Sequence, residues 1–337
     1  MKKKGCIIPA VLLVLLLVLA AVLPPVTQKK TMESASFGAY DRVIIVGIDG
    51  AGQFFRDGDM PNFQRIFKNG AVKYSVRTEV LTDSAPNWTS MLSGVSYFKH
   101  HIHNDDSAVN VRTGDTKYPT VFGVVRQTDK ESALASFSNW ANTNIGIVEN
   151  DIGVMQCTIP DDRKLCANVC DYLDKGNAPR LMFTLFDGVD VTGHAHGSKS
   201  EEYFSALHTA DEYIGKIYDA CERNGLLEDG LFIVTADHGH TVQGGHGRFS
   251  KNESLTTIAA AGKTIIPGGT YDTVTRDRDL AAITLFALGE ERPKTMSARV
   301  PANLFVKTPG ECRSFYKDIL DGIISPVMWI VTQFWKG

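Results

Sequence analysis

Short apolar runs alternate with longer segments of helical spacing along most of the chain. Val43–Ile48, Leu181–Phe186, Leu231–Thr235 and Thr256–Ala260 are such runs. Their near-continuous apolar character predicts strands covered on both faces. Between them, Pro61–Lys68 sets Phe63, Ile66 and Phe67 on one stripe, with Pro at its start and Asn69-Gly70 beyond its end, which is the punctuation of a helix. Glu201–Arg223 carries Phe204, Leu207, Ala210, Ile214 and Ile217 at helical spacing. Strands alternating with helices predict an α/β domain, a mostly parallel central sheet flanked by helices. Lys99–Arg180 is less regular and reads as a small superficial insertion mixed with further α/β units.

The chain opens on a different pattern. Lys2, Lys3 and Lys4 precede an apolar run from Ile7 to Val26, about twenty residues, the length of a membrane span. Residues 1–30 therefore read as a signal anchor or signal peptide, with the remainder outside the cytoplasm. Val18-Leu19-Ala20 is a partial cleavage pattern, and cleavage there releases a secreted protein. Residues 31–41 read as a polar linker, 42–308 as the α/β domain and 309–337 as an apolar, aromatic segment broken by Ser325-Pro326. That last segment suits either an interfacial helix or one docked on the core.

Composition narrows the partners. Lys and Arg total 35 against 38 Asp and Glu, for a net charge of −3, and no basic stripe interrupts the body of the chain. A nucleic-acid partner is therefore not expected. Cys157, Cys166, Cys170, Cys221 and Cys312 follow the apolar run; the odd number leaves at least one unpaired.

The candidate chemistry sits where strands end. Val43–Ile48 runs into Asp49, Leu181–Phe186 into Asp187 and Asp190, and Leu231–Thr235 into Asp237-His238. The carboxyl ends of parallel strands share one edge of a sheet, which is where ligands bind. Carboxylates converging there repel one another unless cations intervene. Asp190 and His194 are four residues apart and address one ion from a single helical turn, with an O/N donor set that suits zinc. His246 lies in a glycine-rich loop, Gly244-Gly-His-Gly247. Spacing alone leaves open which of two ions each ligand serves. In Thr82-Asp-Ser-Ala-Pro-Asn-Trp88, Pro86 suits the first turn of a helix. Ser84 then lies just ahead of a helix N-terminus, which favours anions. His101, His103, His196 and His240 lie near these motifs and read as loop or supporting residues, while Arg248 and Lys251 are candidate phosphate contacts.

The order Asp49, Ser84-x-Pro86-Asn87, Asp190-x-x-x-His194, Asp237-His238-Gly239, His246 resembles the alkaline phosphatase superfamily, and within it the type I phosphodiesterase/nucleotide pyrophosphatase branch. Met60-Pro-Asn-Phe-Gln-Arg-Ile66, His100-His-Ile-His-Asn104 and Asp279–Gly289 are similar to that branch as well. The resemblance implies two divalent metal ions, zinc with manganese as the alternative. Asp190, His194 and His246 would hold one; Asp49, Asp237, His238 and the Ser84 oxygen would hold the other. It also implies that Ser84 is the nucleophile and that Asn87 donates its amide to a phosphate oxygen. Two departures are plain: Ser stands where the branch often has Thr, and Asp83 where it often has Lys. The implied activity is cleavage of phosphodiester or pyrophosphate bonds in a small-molecule or lipid phosphate ester, through a phosphoseryl intermediate. A phosphomonoesterase or a phosphoethanolamine transferase of the same superfamily is the alternative within the class. A metal-stabilised surface protein without catalysis is the alternative outside it. A sulfatase is disfavoured, because Ser84-Ala-Pro-Asn lacks the arginine of the signature whose residue is converted to formylglycine.

Overall fold

The computed structural model describes residues 34–308, apart from 270, 272 and 273. The N-terminal apolar run and the 309–337 segment lie outside the described residues. No helix of the described residues is long and apolar enough to cross a membrane.

Seven strands form one sheet: β1 (Arg42–Ile48), β2 (Ala71–Arg77), β3 (Leu134–Ser138), β4 (Met155–Thr158), β5 (Leu181–Phe186), β6 (Gly230–Thr235) and β7 (Leu255–Ala261), in the order β2-β7-β6-β1-β5-β3-β4. β1 lies at the centre and pairs in parallel with both β5 and β6. β3 and β4 extend the parallel part, whereas β7 runs antiparallel to β6 and to β2. The sheet is thus mostly parallel, as the apolar runs predict. The antiparallel edge at β7 is a fact of chain direction that a periodicity does not encode.

Alternate residues of β1 feed two cores. Val43 and Ile45 face α2 (Ser84–Ser93), α5 (Val121–Thr128) and α10 (Asp279–Leu288). Ile44, Val46 and Ile48 face α1 (Pro61–Phe67), α6 (Asp162–Asp174) and α8 (Glu201–Arg223). All five are fully buried, each contributing roughly 1.5–3 kcal/mol by removal from water. Helix α8 begins where Ser200 accepts the Tyr203 N–H, the capping expected of Ser before a helix.

Two sequence expectations change. Residues 34–41, read as linker, dock on α10: the Phe37 ring lies 5.6 Å from that of Phe286, and Gly38 N donates to Phe286 O. Two apolar side chains, Phe37 and Tyr40, suffice to fasten this short polar stretch. The region Lys99–Arg180, read partly as a superficial insertion, supplies β3, β4, α5 and α6 and so completes one edge of the sheet. Its strands escape a search for β-branched runs because Leu134–Ser138 is built of small and polar residues around Phe137.

Candidate active site

β1, β5 and β6 deliver their chemistry to one edge of the sheet. Asp49 follows β1, Asp237 and His238 follow β6, and Asp190 and His194 lie on α7 (Gly188–His196), the helix that starts just after β5. Ser84 is the first residue of α2, with Asp83 extended as its N-cap.

Ligand atoms of Asp49, Asp237 and His238 all lie within 4.8 Å of one another. His238 Nε2 is 3.5 Å from Asp49 Oδ1 and 3.2 Å from Asp237 Oδ2. Ser84 Oγ joins this group, 3.4 Å from Asp49 Oδ1 and 3.2 Å from His238 Nε2. Asp49 is oriented from behind by Trp88 Nε1, which donates to Oδ2 at 2.8 Å. Gly47 makes room for that indole, since a Cβ there would stand 2.5 Å from the Trp88 ring.

A second triad adjoins the first. Ligand atoms of Asp190, His194 and His246 are likewise within 4.8 Å of one another. His194 Nε2 is 3.3 Å from Asp190 Oδ2, and His246 Nε2 is 3.1 Å from His194 Nε2. His246 stacks on His238 with ring centroids 3.8 Å apart, which links the triads. The backbone carbonyl of Thr82 lies 2.5 Å from His246 Nδ1. Nδ1 therefore carries a proton, and Nε2 faces Asp190 and His194. The loop reaches this place through positive φ at Gly244, Gly245 and Gly247, conformations that glycine adopts without steric cost.

Electrostatics separates the triads. Burial, then the charges of Asp237 and Asp190, push Asp49 well above the usual carboxylate range. Burial and Asp190 do the same to Asp237. Burial drives His238 well below the usual imidazole value, so it stays neutral. Burial also pushes Asp190 upward, but hydrogen bonds from His194 and His240 outweigh it and hold Asp190 below its ordinary range. Asp187, beside the triads, is raised to about 7 by burial and by Asp190 and Asp162.

These residues fit divalent metal ions. Asp237 Oδ2 is buried and makes no hydrogen bond, an arrangement a cation relieves. Two sets of carboxylate oxygen and imidazole nitrogen match the donor preferences of zinc and also admit manganese.

Not every expected residue reaches the centre. Asn87 is fully buried, and its Nδ2 donates to the carbonyls of Leu81 and Asp83, both at 2.7 Å, while Oδ1 accepts Glu79 N. Both amide protons are engaged by backbone, so in this geometry Asn87 fastens the loop before α2 and does not face a phosphate. Asn104, at the start of α4 (Asn104–Val109), takes the position expected of it: Oδ1 accepts Ala85 N at 2.8 Å, in the first turn of α2. Its Nδ2 bonds no described protein group, and so stays available to an anion. The signal in the sequence was Asn104 itself, at the end of His100-His-Ile-His-Asn104, but a contact between residues nineteen positions apart is not visible as spacing. His240 was also underestimated, for its Nε2 lies 2.8 Å from Asp190 Oδ1. His101 and His196 are exposed, and His103 pairs with Tyr97. Arg248 and Lys251 extend to solvent.

A mostly parallel sheet that presents two Asp/His triads and a serine at the first position of a helix on one edge defines a member of the alkaline phosphatase superfamily. Within it, the sequence profile of the type I phosphodiesterase / nucleotide pyrophosphatase family matches residues 43–246, more than half of the chain, and the chain belongs to that family. A bovine relative, bis(5'-adenosyl)-triphosphatase ENPP4, is 24% identical over 225 residues, which are 62% of this chain and 49% of that protein. GPI ethanolamine phosphate transferase 2 of Aspergillus fumigatus is 23% identical over 227 residues, 64% of this chain and 29% of that protein. The chain thus spans about half, or less, of the length of these curated relatives. Murine ectonucleotide pyrophosphatase/phosphodiesterase 5 shares the fold, with a TM-score of 0.58 at 14% identity over 75% of this chain and 96% of that one.

Proposed function

We propose that the protein is a membrane-anchored, extracytoplasmic hydrolase that cleaves phosphodiester or pyrophosphate bonds through a phosphoseryl intermediate, with two divalent metal ions, zinc or manganese. The observation that carries this reading is the position of Ser84 Oγ, 3.4 Å from Asp49 and 3.2 Å from His238 at the N-terminus of α2. Asp49, Asp237 and His238 would hold one ion and Asp190, His194 and His246 the other. When bound, the ions neutralise the carboxylates, lower the Ser84 pKa and offset charge on the leaving oxygen.

The chain's own residues supply the rest. Trp88 keeps Asp49 aligned toward Ser84. In the first turn of α2, Ala85 N donates to Asn104 Oδ1, Pro86 has no N–H and Asn87 N donates to Asp83 O; the Ser84 N–H is left to face the phosphate, with the Asn104 amide beside it. In-line attack by Ser84 Oγ breaks the bond to the leaving oxygen and leaves the phosphoryl group on serine. Water then displaces Ser84, and two displacements give net retention at phosphorus. The polar partners of Ser84, Asp49, Asp237 and His238 are one another, Trp88 and backbone groups; no Lys or Arg is among them. A neutral surround of this kind favours the singly charged diester over a dianionic monoester.

The substrate class is a small-molecule or lipid phosphate ester, and the apolar run at Ile7–Val26 supports attachment to a membrane. Similarity to GPI ethanolamine phosphate transferases supports a second reading, transfer of the phosphoryl headgroup to an acceptor alcohol. The test is turnover of bis-p-nitrophenyl phosphate against p-nitrophenyl phosphate, with and without chelator, in wild type and Ser84→Ala. A diesterase preference lost on chelation and in the variant is expected; turnover that survives Ser84→Ala sinks the nucleophile assignment. Headgroup release without any acceptor counts against the transferase.

A further inference from the structure

One buried polar side chain at the site has no place in that mechanism. His240 is fully buried, and its Nε2 lies 2.8 Å from Asp190 Oδ1. A carboxylate only accepts, so the Nε2–H tautomer is the one that bonds it. The slot for the ring is built by glycines from two other segments. A Cβ on Gly50 would stand 2.8 Å from His240 Nε2, and one on Gly193 would stand 2.5 Å from the same atom. The Gly50 turn is itself held at both ends: Tyr203 Oη donates to its carbonyl at 2.7 Å, and its N–H donates to Asp237 Oδ1 at 3.1 Å.

We propose that His240 is a positioning residue, which holds Asp190 by Oδ1 so that the carboxylate is prearranged as a metal ligand with His194 and His246. This rests on the two-metal reading. Asp190 has a side chain only 12% exposed, beside His194, whose side chain is 52% exposed. Without a fixed donor its carboxylate turns about the Cα–Cβ and Cβ–Cγ bonds, and that freedom is lost again each time an ion binds. The same slot explains why position 193 is glycine within a helix, where glycine otherwise weakens the helix. Groups that orient a ligand typically change metal affinity by about 10–100-fold.

The test compares His240→Gln with His240→Asn in the full chain. The Gln amide reaches the place of Nε2 and still donates to Asp190; the Asn amide falls short. Metal-free protein is titrated with zinc against a competing chelator, and the melting temperature of each metal-free form is recorded. Wild type is expected to bind two ions. His240→Asn is expected to bind one of them about 10–100-fold more weakly, His240→Gln to stay close to wild type, and both variants to melt alike without metal. Equal affinity in His240→Asn and wild type overturns the proposal, as does a loss in His240→Gln as large as in His240→Asn. Three ions in wild type, one of them missing in His240→Gln, would make His240 a ligand and overturn it too. Wild type that binds no zinc overturns the two-metal reading as well as this one, which separates the two failures.

Discussion

The two Asp/His triads are built from the same ligand types but differ in exposure at one ligand, His194. Asp49, Asp237 and His238 are 1%, 0% and 0% exposed, whereas the His194 side chain of the other triad is 52% exposed. In the buried triad, two carboxylates share a space that water does not screen, and both are pushed toward protonation. In the open triad, hydrogen bonds from His194 and His240 keep Asp190 ionised against the pull of burial. The difference assigns separate dependences. The buried half needs a cation to settle its charge, and it is the half that touches Ser84. The open half is already organised by protein contacts, and its His194 reaches solvent.

The largest expected effect comes from the residue that joins the buried half. Ser84→Ala is predicted to lower kcat on a diester by on the order of 10⁴–10⁶-fold, the scale of removing a nucleophile, with metal content unchanged. A variant that loses both activity and metal would instead make Ser84 chiefly a ligand. Next, the halves should separate on chelation. His194→Ala is predicted to weaken one ion by more than about 100-fold while the other stays bound, as read by metal analysis after dialysis. Loss of both ions together would mean that the triads act as one site. Removing the Asp49 hydrogen bond is milder. Trp88→Phe deletes a bond to a charged group, worth about 1.5–3 kcal/mol, and should lower kcat by about tenfold or more with little change in KM.

The smallest effect is a stability trend in metal-free protein. Asp49, Asp237 and Asp187 all have folded-state pKa values above the ordinary one, Asp187 at about 7 against 3.8. Over that interval these carboxyls hold more protons in the folded than in the unfolded chain, so their contribution to stability falls as pH rises, while His100, His238 and His240, lowered by burial, contribute in the opposite sense. The depressed pKa of Asp190 acts in the opposite sense, at lower pH. Between about pH 4 and pH 7 the melting temperature of metal-free wild type should therefore fall relative to that of metal-free Asp187→Asn, the variant that removes the Asp187 contribution. A difference between the two that stays constant across that range would show that Asp187 does not keep its proton on folding.

Much of this comparison was legible from the chain alone. The ends of β1, β5 and β6 could be placed because each strand is a continuous apolar run that stops at Asp, and parallel strands share an edge. Asp190 and His194 were legible because four residues make one turn of α7. What escaped depends on contacts between distant segments. Asn87 follows Ser84 by three residues, yet spacing does not say that its amide turns back to Leu81 and Asp83. Asn104 reaches α2 only because α4 packs there, and the slot of His240 needs Gly50 and Gly193 from elsewhere in the chain. β3 and β4 were missed since their short, partly polar sequences take strand form from the sheet edge they join. Proximity to a motif was a poor guide to role for the histidines. His196 and His240 flank ligands equally closely, but one points to solvent and the other is buried against Asp190.

The stereochemical course at phosphorus tests the central claim most directly. A diester made chiral at phosphorus by sulfur and oxygen-isotope substitution is hydrolysed in isotopically labelled water, and the configuration of the product is determined. Attack by Ser84 followed by water predicts net retention. Inversion would mean direct attack by water, and would contradict a phosphoseryl intermediate at this site.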